Sequence, residues 1–242
     1  MSESFLSTVI GSRFLERLAA SPRGRAFMLK FLVGAEEGDE VGVFDALVAR
    51  VDDPELNQLV KRHRDDEQRH ARVFRECLDR QPVRADSLPE PPGVIEYIDG
   101  ELGGFGVEFV ANRHSVMAAY LLLQVIEERG VQQYPLLANA IEPYDPESAS
   151  VIREVAADET RHIKYAKAIA KRYAPDEATL HSTLARTRAA EARAFVEHGH
   201  ALFAVAMANQ LIDAGPIERL VWRGLAALRG PAPQPRIASL AA

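Results

Sequence analysis

The chain has 242 residues, 47% of them hydrophobic, and a net charge of −6. That is enough apolar material to bury a core in one large domain or two small ones, and the mildly acidic balance, with no strongly basic stretch, disfavours nucleic acid and other anionic partners. Cys77 is the lone cysteine, which excludes an internal disulfide and any thiolate-held zinc or iron–sulfur site, and which fits a reducing compartment. The opening Met1-Ser2-Glu3-Ser4-Phe5 has no basic segment followed by an apolar core, and the longest apolar run, residues 116–126, is too short to span a bilayer and contains Gln124. The expected location is cytoplasmic.

Helical periodicity dominates, and no segment alternates as a strand would. A first helix is predicted over 3–19, with Phe5, Val9, Phe14, Leu15 and Leu18 on its apolar side. Ser21-Pro22 breaks it and starts a second helix over 23–50, whose stripe reads Leu29, Val33, Glu37, Val41, Phe44 and Val48. Asp52-Asp53-Pro54 is a turn and a fresh cap for a third helix over 54–79, striped by Leu56, Leu59, Val60, His63, Glu67, His70, Phe74 and Leu78. Residues 81–104 are rich in proline and glycine and long for a bundle connection, which suits a crossover running the length of a bundle, with a short helix near 93–99. A fourth helix is expected over 107–139, bent or broken near Pro135, and a fifth over 147–172 after the turn at Glu142-Pro143-Tyr144-Asp145-Pro146. Long and short C-terminal helices follow over 176–213 and 217–228. The expected division is an N-terminal helix at 1–21, a four-helix bundle at 22–175, C-terminal helices packing on it at 176–229, and a disordered tail at 230–242.

The chemistry lies in a doubled motif, Asp66-Glu67-Gln68-Arg69-His70 and Asp158-Glu159-Thr160-Arg161-His162. Positions i and i+3 share a helix face, so each Glu-x-x-His can present a carboxylate and an imidazole together. One such element is weak evidence, since Glu-rich surface helices produce it often. The hairpin arithmetic strengthens it. Glu37 lies about fifteen residues before the first turn and Glu67 about thirteen after it; at ~1.5 Å per residue both legs are roughly 20 Å, which returns the two carboxylates to one level. Glu127 and Glu159 stand in the same relation to the second turn. Four glutamates on apolar stripes are costly to bury unless paired, and two divalent ions neutralise them. Ligands of carboxylate and imidazole without thiolate suit two irons, or manganese. Glu36, Glu40 and Glu128 are rivals to these ligands, and Glu127 is chosen over its neighbour Glu128 because the repeat equates it with Glu37. Asp66 and Asp158 can accept the outer N–H of a metal-bound histidine, in their own helix or across the bundle, or can form ion pairs with Arg69 and Arg161. His63 lies one turn before Glu67 and could face the site, though it reads first as a surface or core-edge histidine; Tyr120, Tyr134 and Tyr165 could line the pocket and read first as core.

With these residues the chain resembles the ferritin-like di-iron carboxylate proteins over about residues 25–172. The spacing from Glu37 through Phe44 to Glu67 looks especially like demethoxyubiquinone hydroxylases and rubrerythrin-type proteins. The resemblance implies an all-α ferritin-like four-helix bundle with a long crossover and added terminal helices. It also implies two irons held by Glu37, Glu67 and His70 from one half and by Glu127, Glu159 and His162 from the other, with Glu67 and Glu159 bridging. The implied activity is oxidation of a small organic substrate by O2 or peroxide, with electrons from an unidentified donor. A rubrerythrin-like peroxidase or ferroxidase is the alternative, although a rubrerythrin's Cys-x-x-Cys module is missing here, and a non-catalytic helical module is the third reading. A homodimer is one assembly that the sequence leaves open. Peripheral membrane contact through Leu220, Val221, Trp222, Leu225 and Leu228 ranks below packing of that helix on the bundle or on a partner.

Overall fold

The computed structural model describes residues 2–37, 40–102, 113–213 and 215–229. Among these the chain is all helical: α1 (Ser2–Ala20), α2 (Pro22–Glu37), α3 (Glu40–Arg50), α4 (Pro54–Asp79), α5 (Val94–Leu102), α6 (Arg113–Ile141), α7 (Pro146–Tyr173), α8 (Glu177–Ala208) and α9 (Pro216–Arg229), with a 3-10 turn at 85–87. Part of the expected crossover, residues 103–112, and the expected tail at 230–242 lie outside the described residues. The stretch expected as one helix over 23–50 is described as α2 and α3, with residues 38–39 outside the description. Pro135 sits inside a continuous α6 and does not break it. No described helix is long and apolar enough to cross a membrane.

The two motif helices start alike. Asp53 caps α4 by accepting from the backbone N–H of Glu55 and Leu56, and Asp145 caps α7 by accepting from that of Ser148; each is followed by a proline at the first helical position, where a missing N–H costs nothing. Both caps therefore stand thirteen residues before the motif aspartate, at Asp66 and Asp158. Tyr173, at the end of α7, donates its hydroxyl to Asp52 and accepts from the Asp52 backbone N–H at 2.7 Å, tying that helix end to the α3–α4 turn.

In the packing, α2 and α3 lie against α4, α6 pairs along most of its length with α7, and α4 meets α7 across the middle. α1 lies over α2 and α6. Gly24 permits the tight entry into α2, because a Cβ there would collide with the carbonyl oxygens of Leu18 and Leu211. α8 packs on α5 and α6, and α9 returns towards α1: Trp222 is buried against Phe14 and Phe203, and Arg17 pairs with Glu218 at 2.9 Å. Ile217, Leu220 and Val221 remain exposed on α9.

Two large apolar layers fill the bundle. One gathers Leu29, Leu32, Val33, Phe74, Leu137, Ile152 and Val155; the other gathers Phe44, Leu47, Val60, Tyr120, Leu123, Tyr165 and Ile169. Along α4 the order is Val60, then His63, Glu67 and His70, then Phe74. Along α7 it is Val155, then Glu159 and His162, then Tyr165. Each helix thus passes from one apolar layer to the other through a polar level, and the polar levels coincide.

Candidate metal centre

That level holds seven buried side chains: Glu36, His63, Glu67, His70, Glu127, Glu159 and His162. They form two groups of ligand atoms, each within 4.8 Å of one another: His63, Glu67, Glu127 and His162, and Glu36, Glu67, His70 and Glu159. In the first, His63 Nε2 lies 3.0 Å from Glu67 Oε1 and 3.1 Å from Glu127 Oε1, and His162 Nδ1 lies 3.2 Å from the same Glu67 oxygen. In the second, His70 Nδ1 is 3.3 Å from Glu36 Oε2 and 3.3 Å from Glu159 Oε1, with Glu67 Oε2 at 3.8 Å. Glu67 thus turns one oxygen to each group. Glu159 does likewise, its Oε2 lying 2.8 Å from His162 Nδ1.

The donor set fits metal ions on two counts. Two ligands each ~2.1 Å from an ion and at right angles to one another stand about 3 Å apart, which is the spacing seen here. Moreover, Glu67 Oε1, both Glu159 oxygens, His70 Nδ1 and His162 Nδ1 are buried yet have no hydrogen-bond partner. Buried polar atoms are nearly always paired, so lone pairs that converge without acceptable hydrogen-bond geometry are accounted for by a cation between them.

The outer faces of two imidazoles are held from across the bundle. His162 Nε2 lies 3.2 Å from Asp66 Oδ2, and His70 Nε2 lies 3.3 Å from Asp158 Oδ2. As the residue number rises along α4 it falls along α7, so the two helices are antiparallel and related by an approximate two-fold axis that pairs residue n with n + 92. Arg69 donates to Asp158, and Arg161 to both Asp158 and Asp66, which closes a belt of charge around the pair. Of the two roles open to the aspartates, they take both: acceptor for the opposite histidine and partner of the motif arginines.

Burial and neighbours split the protonation states. Burial, reinforced by the charge on Glu67, pushes Glu36 up to about 8. Burial and the charge on Glu127 hold Glu159 well above the usual carboxylate range. Burial acts the same way on Glu67 and Glu127, but imidazoles outweigh it: His162, His63 and His70 hold Glu67 well below its ordinary value, and His162 and His63 bring Glu127 down to about 2. Against its own burial, His70 is raised to about 9 by Glu36 and Glu67, and His162 is raised by Glu127 and Glu159. Near neutral pH and without metal, Glu67 and Glu127 are therefore ionised, His70 and His162 are imidazolium, and Glu36 and Glu159 hold protons.

Seven sequence-selected residues come together here: Glu67, His70, Glu127, Glu159 and His162 in the two groups, with Asp66 and Asp158 behind the imidazoles. Glu37 is not among the clustered residues. It is exposed and pairs with Arg75, while Glu36 is buried and accepts from the Tyr134 hydroxyl. The reason is helical phase: the buried face of α2 runs Leu29, Leu32, Val33, Glu36, and the next residue turns away from it. Glu128 is drawn to the outside by Arg188 at 2.8 Å and Gln124 at 2.9 Å. His63, which reads first as a surface or core-edge histidine, is buried among these residues; its place one turn before Glu67 on the same stripe is the signal that it could face the site. Of the tyrosines, Tyr134 touches Glu36, and the Tyr165 ring lies 5.3 Å from His63 and 5.5 Å from His162.

An all-helical bundle with two buried carboxylate–imidazole groups at its centre defines the ferritin-like di-iron carboxylate class. The model of one family, described as ubiquinone biosynthesis protein COQ7, matches residues 43–197, well over half of the chain, and the chain belongs to that family. Its members are di-iron hydroxylases, so this chain is a di-iron oxygenase-type enzyme that takes an organic substrate and O2. The match contains His63, Glu67, His70, Glu127, Glu159 and His162, and Glu36 lies just upstream of it. Searches of curated proteins and of solved structures find no significant match.

Proposed function

We propose that this enzyme hydroxylates a ring carbon of a quinone-type or phenolic precursor, using two irons held by Glu36, Glu67, His70, Glu127, Glu159 and His162. The observation that carries the ligand set is the pair of buried groups sharing Glu67, whose four carboxylates balance the charge of two divalent ions. Bound iron supplies the one-electron steps that allow O2 to react with a closed-shell organic molecule. Glu67 and Glu159 would serve both ions, and Glu36 and Glu127 would each serve one. Asp66 and Asp158 accept the Nε2 protons of His162 and His70, which leaves each Nδ1 lone pair facing inwards. Tyr134 fixes one oxygen of Glu36. The apolar layers on either side keep water from the reacting centre.

Inserting one atom of O2 into a C–H bond while the other leaves as water consumes two electrons and two protons, so an external electron donor belongs to the same reading. A cytoplasmic homodimer belongs to it too, supported by the lone cysteine and by the exposed Ile217, Leu220 and Val221, which a second copy would cover. The test uses iron-loaded protein, a chemical reductant, a short-tailed demethoxyquinone and isotopically labelled O2. One labelled oxygen should appear in the ring, and Glu67→Ala combined with Glu159→Ala should abolish it. An iron-loaded protein that consumes peroxide rapidly and leaves every ring substrate unchanged would replace this reading with the peroxidase one.

A further inference from the structure

We infer that His63 is a third imidazole ligand, so that the two metal positions are chemically unequal. The inference rests on the di-metal reading above. His63 is wholly buried, and its Nε2 approaches Glu67 Oε1 and Glu127 Oε1 at 3.0 and 3.1 Å, the two oxygens that His162 Nδ1 also approaches. The His63 and His162 rings lie 4.1 Å apart between centroids, and all four donors of that group fall within 4.8 Å of one another. Nothing on the ring's other side explains its placement: Nδ1 is buried without a hydrogen-bond partner, and the ring packs against Phe44 and Tyr165. A histidine kept in a core for its packing alone would have both nitrogens satisfied; here the nitrogen that faces the carboxylates is the one with neighbours.

The approximate two-fold axis shows that the other half lacks this ligand. Adding 92 carries Asp66, Glu67, Arg69 and His70 onto Asp158, Glu159, Arg161 and His162, and carries His63 onto Val155, which is buried in an apolar layer. One position therefore has His63, His162, Glu127 and the bridging carboxylates, and the other has His70, Glu36 and the same bridges. Imidazole binds the later first-row divalent ions more tightly than a carboxylate or water does, so the nitrogen-rich position fills first. With one donor fewer from the protein, the second position keeps more room for exogenous molecules.

The test takes the full-length protein, freed of metal, and adds Co2+ while its visible absorption is followed. Wild type should bind two ions in two resolved steps, and His63→Val, which makes the halves alike, should weaken the tighter step by about tenfold or more, towards the weaker one. With one equivalent of Mn2+, pulsed EPR should count two bound imidazole nitrogens in wild type and one in His63→Val. His63→Gln gives the same readouts with better filling of the site, and melting of the metal-free proteins reports folding independently. Two bound ions with one imidazole nitrogen at the tighter position of wild type, or a tighter step unmoved in both variants, would overturn the assignment and leave the di-metal reading intact. A wild type that binds no metal would overturn both.

Discussion

Filling the centre with two divalent ions should expel about four protons near pH 7. In the metal-free protein Glu36, Glu159, His70 and His162 all hold a proton at that pH, Glu36 being raised to about 8 and His70 to about 9, while Glu67 and Glu127 are already ionised. A metal ligand must surrender its proton, so each of the four protonated groups contributes one. The logarithm of the overall binding constant should then rise by about four per pH unit below neutrality, equivalent to about 5.4 kcal/mol per unit at ~1.36 kcal/mol for each proton. Above pH 9 the slope should fall to about two, because Glu36 and His70 have by then lost their protons without metal. Calorimetric titration with Mn2+ in buffers of different ionisation enthalpy counts the protons directly. Glu36→Gln should release one fewer, and Glu37→Gln, which removes an exposed partner of Arg75, should leave the count at its wild-type value. Release of two protons or fewer at pH 7 would refute the reasoning, because it would mean that the buried carboxylates are ionised before metal arrives.

Replacing Asp66 or Asp158 with asparagine should weaken metal binding roughly 10–100-fold while leaving the fold intact, since each change removes the carboxylate that accepts from an imidazole Nε2 across the bundle; unchanged affinity in a Co2+ titration would show that the imidazoles need no such partner. The metal-free protein should also have a lopsided stability profile. Glu36 and His70 have folded values above their ordinary 4.5 and 6.5, so the stability they contribute is lost as pH rises through about 8 and about 9; Glu127 is depressed to about 2, so its contribution is lost as pH falls from 4.5 towards 2. Melting temperatures should peak near pH 4.5–5 and fall from there towards pH 9, first as Glu36 and then as His70 gives up its contribution, and metal should remove that decline; a metal-free protein equally stable at pH 5 and pH 9 would contradict the assignment.

Much of this was legible in the sequence because the information is periodic. The caps at Asp53-Pro54 and Asp145-Pro146, the equal leg lengths and the repeated Glu-x-x-His follow from helix geometry alone, and they specify one level in the bundle for Glu67, His70, Glu127, Glu159 and His162. Glu36 was legible only as a rival to Glu37, because carrying the stripe through 23–50 as one helix sets Glu37 in phase with Phe44, whereas the buried face of α2 taken by itself selects Glu36. Two adjacent glutamates differ by ~100° around a helix, so a small error in the phase of the stripe is enough to exchange them. His63 ranks lower for a different reason: its place one turn before Glu67 sets it on the same stripe, but a single helix does not show what that stripe meets, and only the convergence of a second helix brings Glu127 within reach.

The crossing of the aspartates has a bearing on how such a chain could have arisen. Because Asp66 serves the imidazole of α7 and Asp158 that of α4, each helical hairpin is chemically unfinished and becomes complete only against the other. A single hairpin could have worked as a pair of identical copies related by the same two-fold axis, each lending its aspartate to its twin. Fusing two copies into one polypeptide would preserve that exchange and free the halves to diverge, as the histidine at position 63 and the valine at position 155 have done.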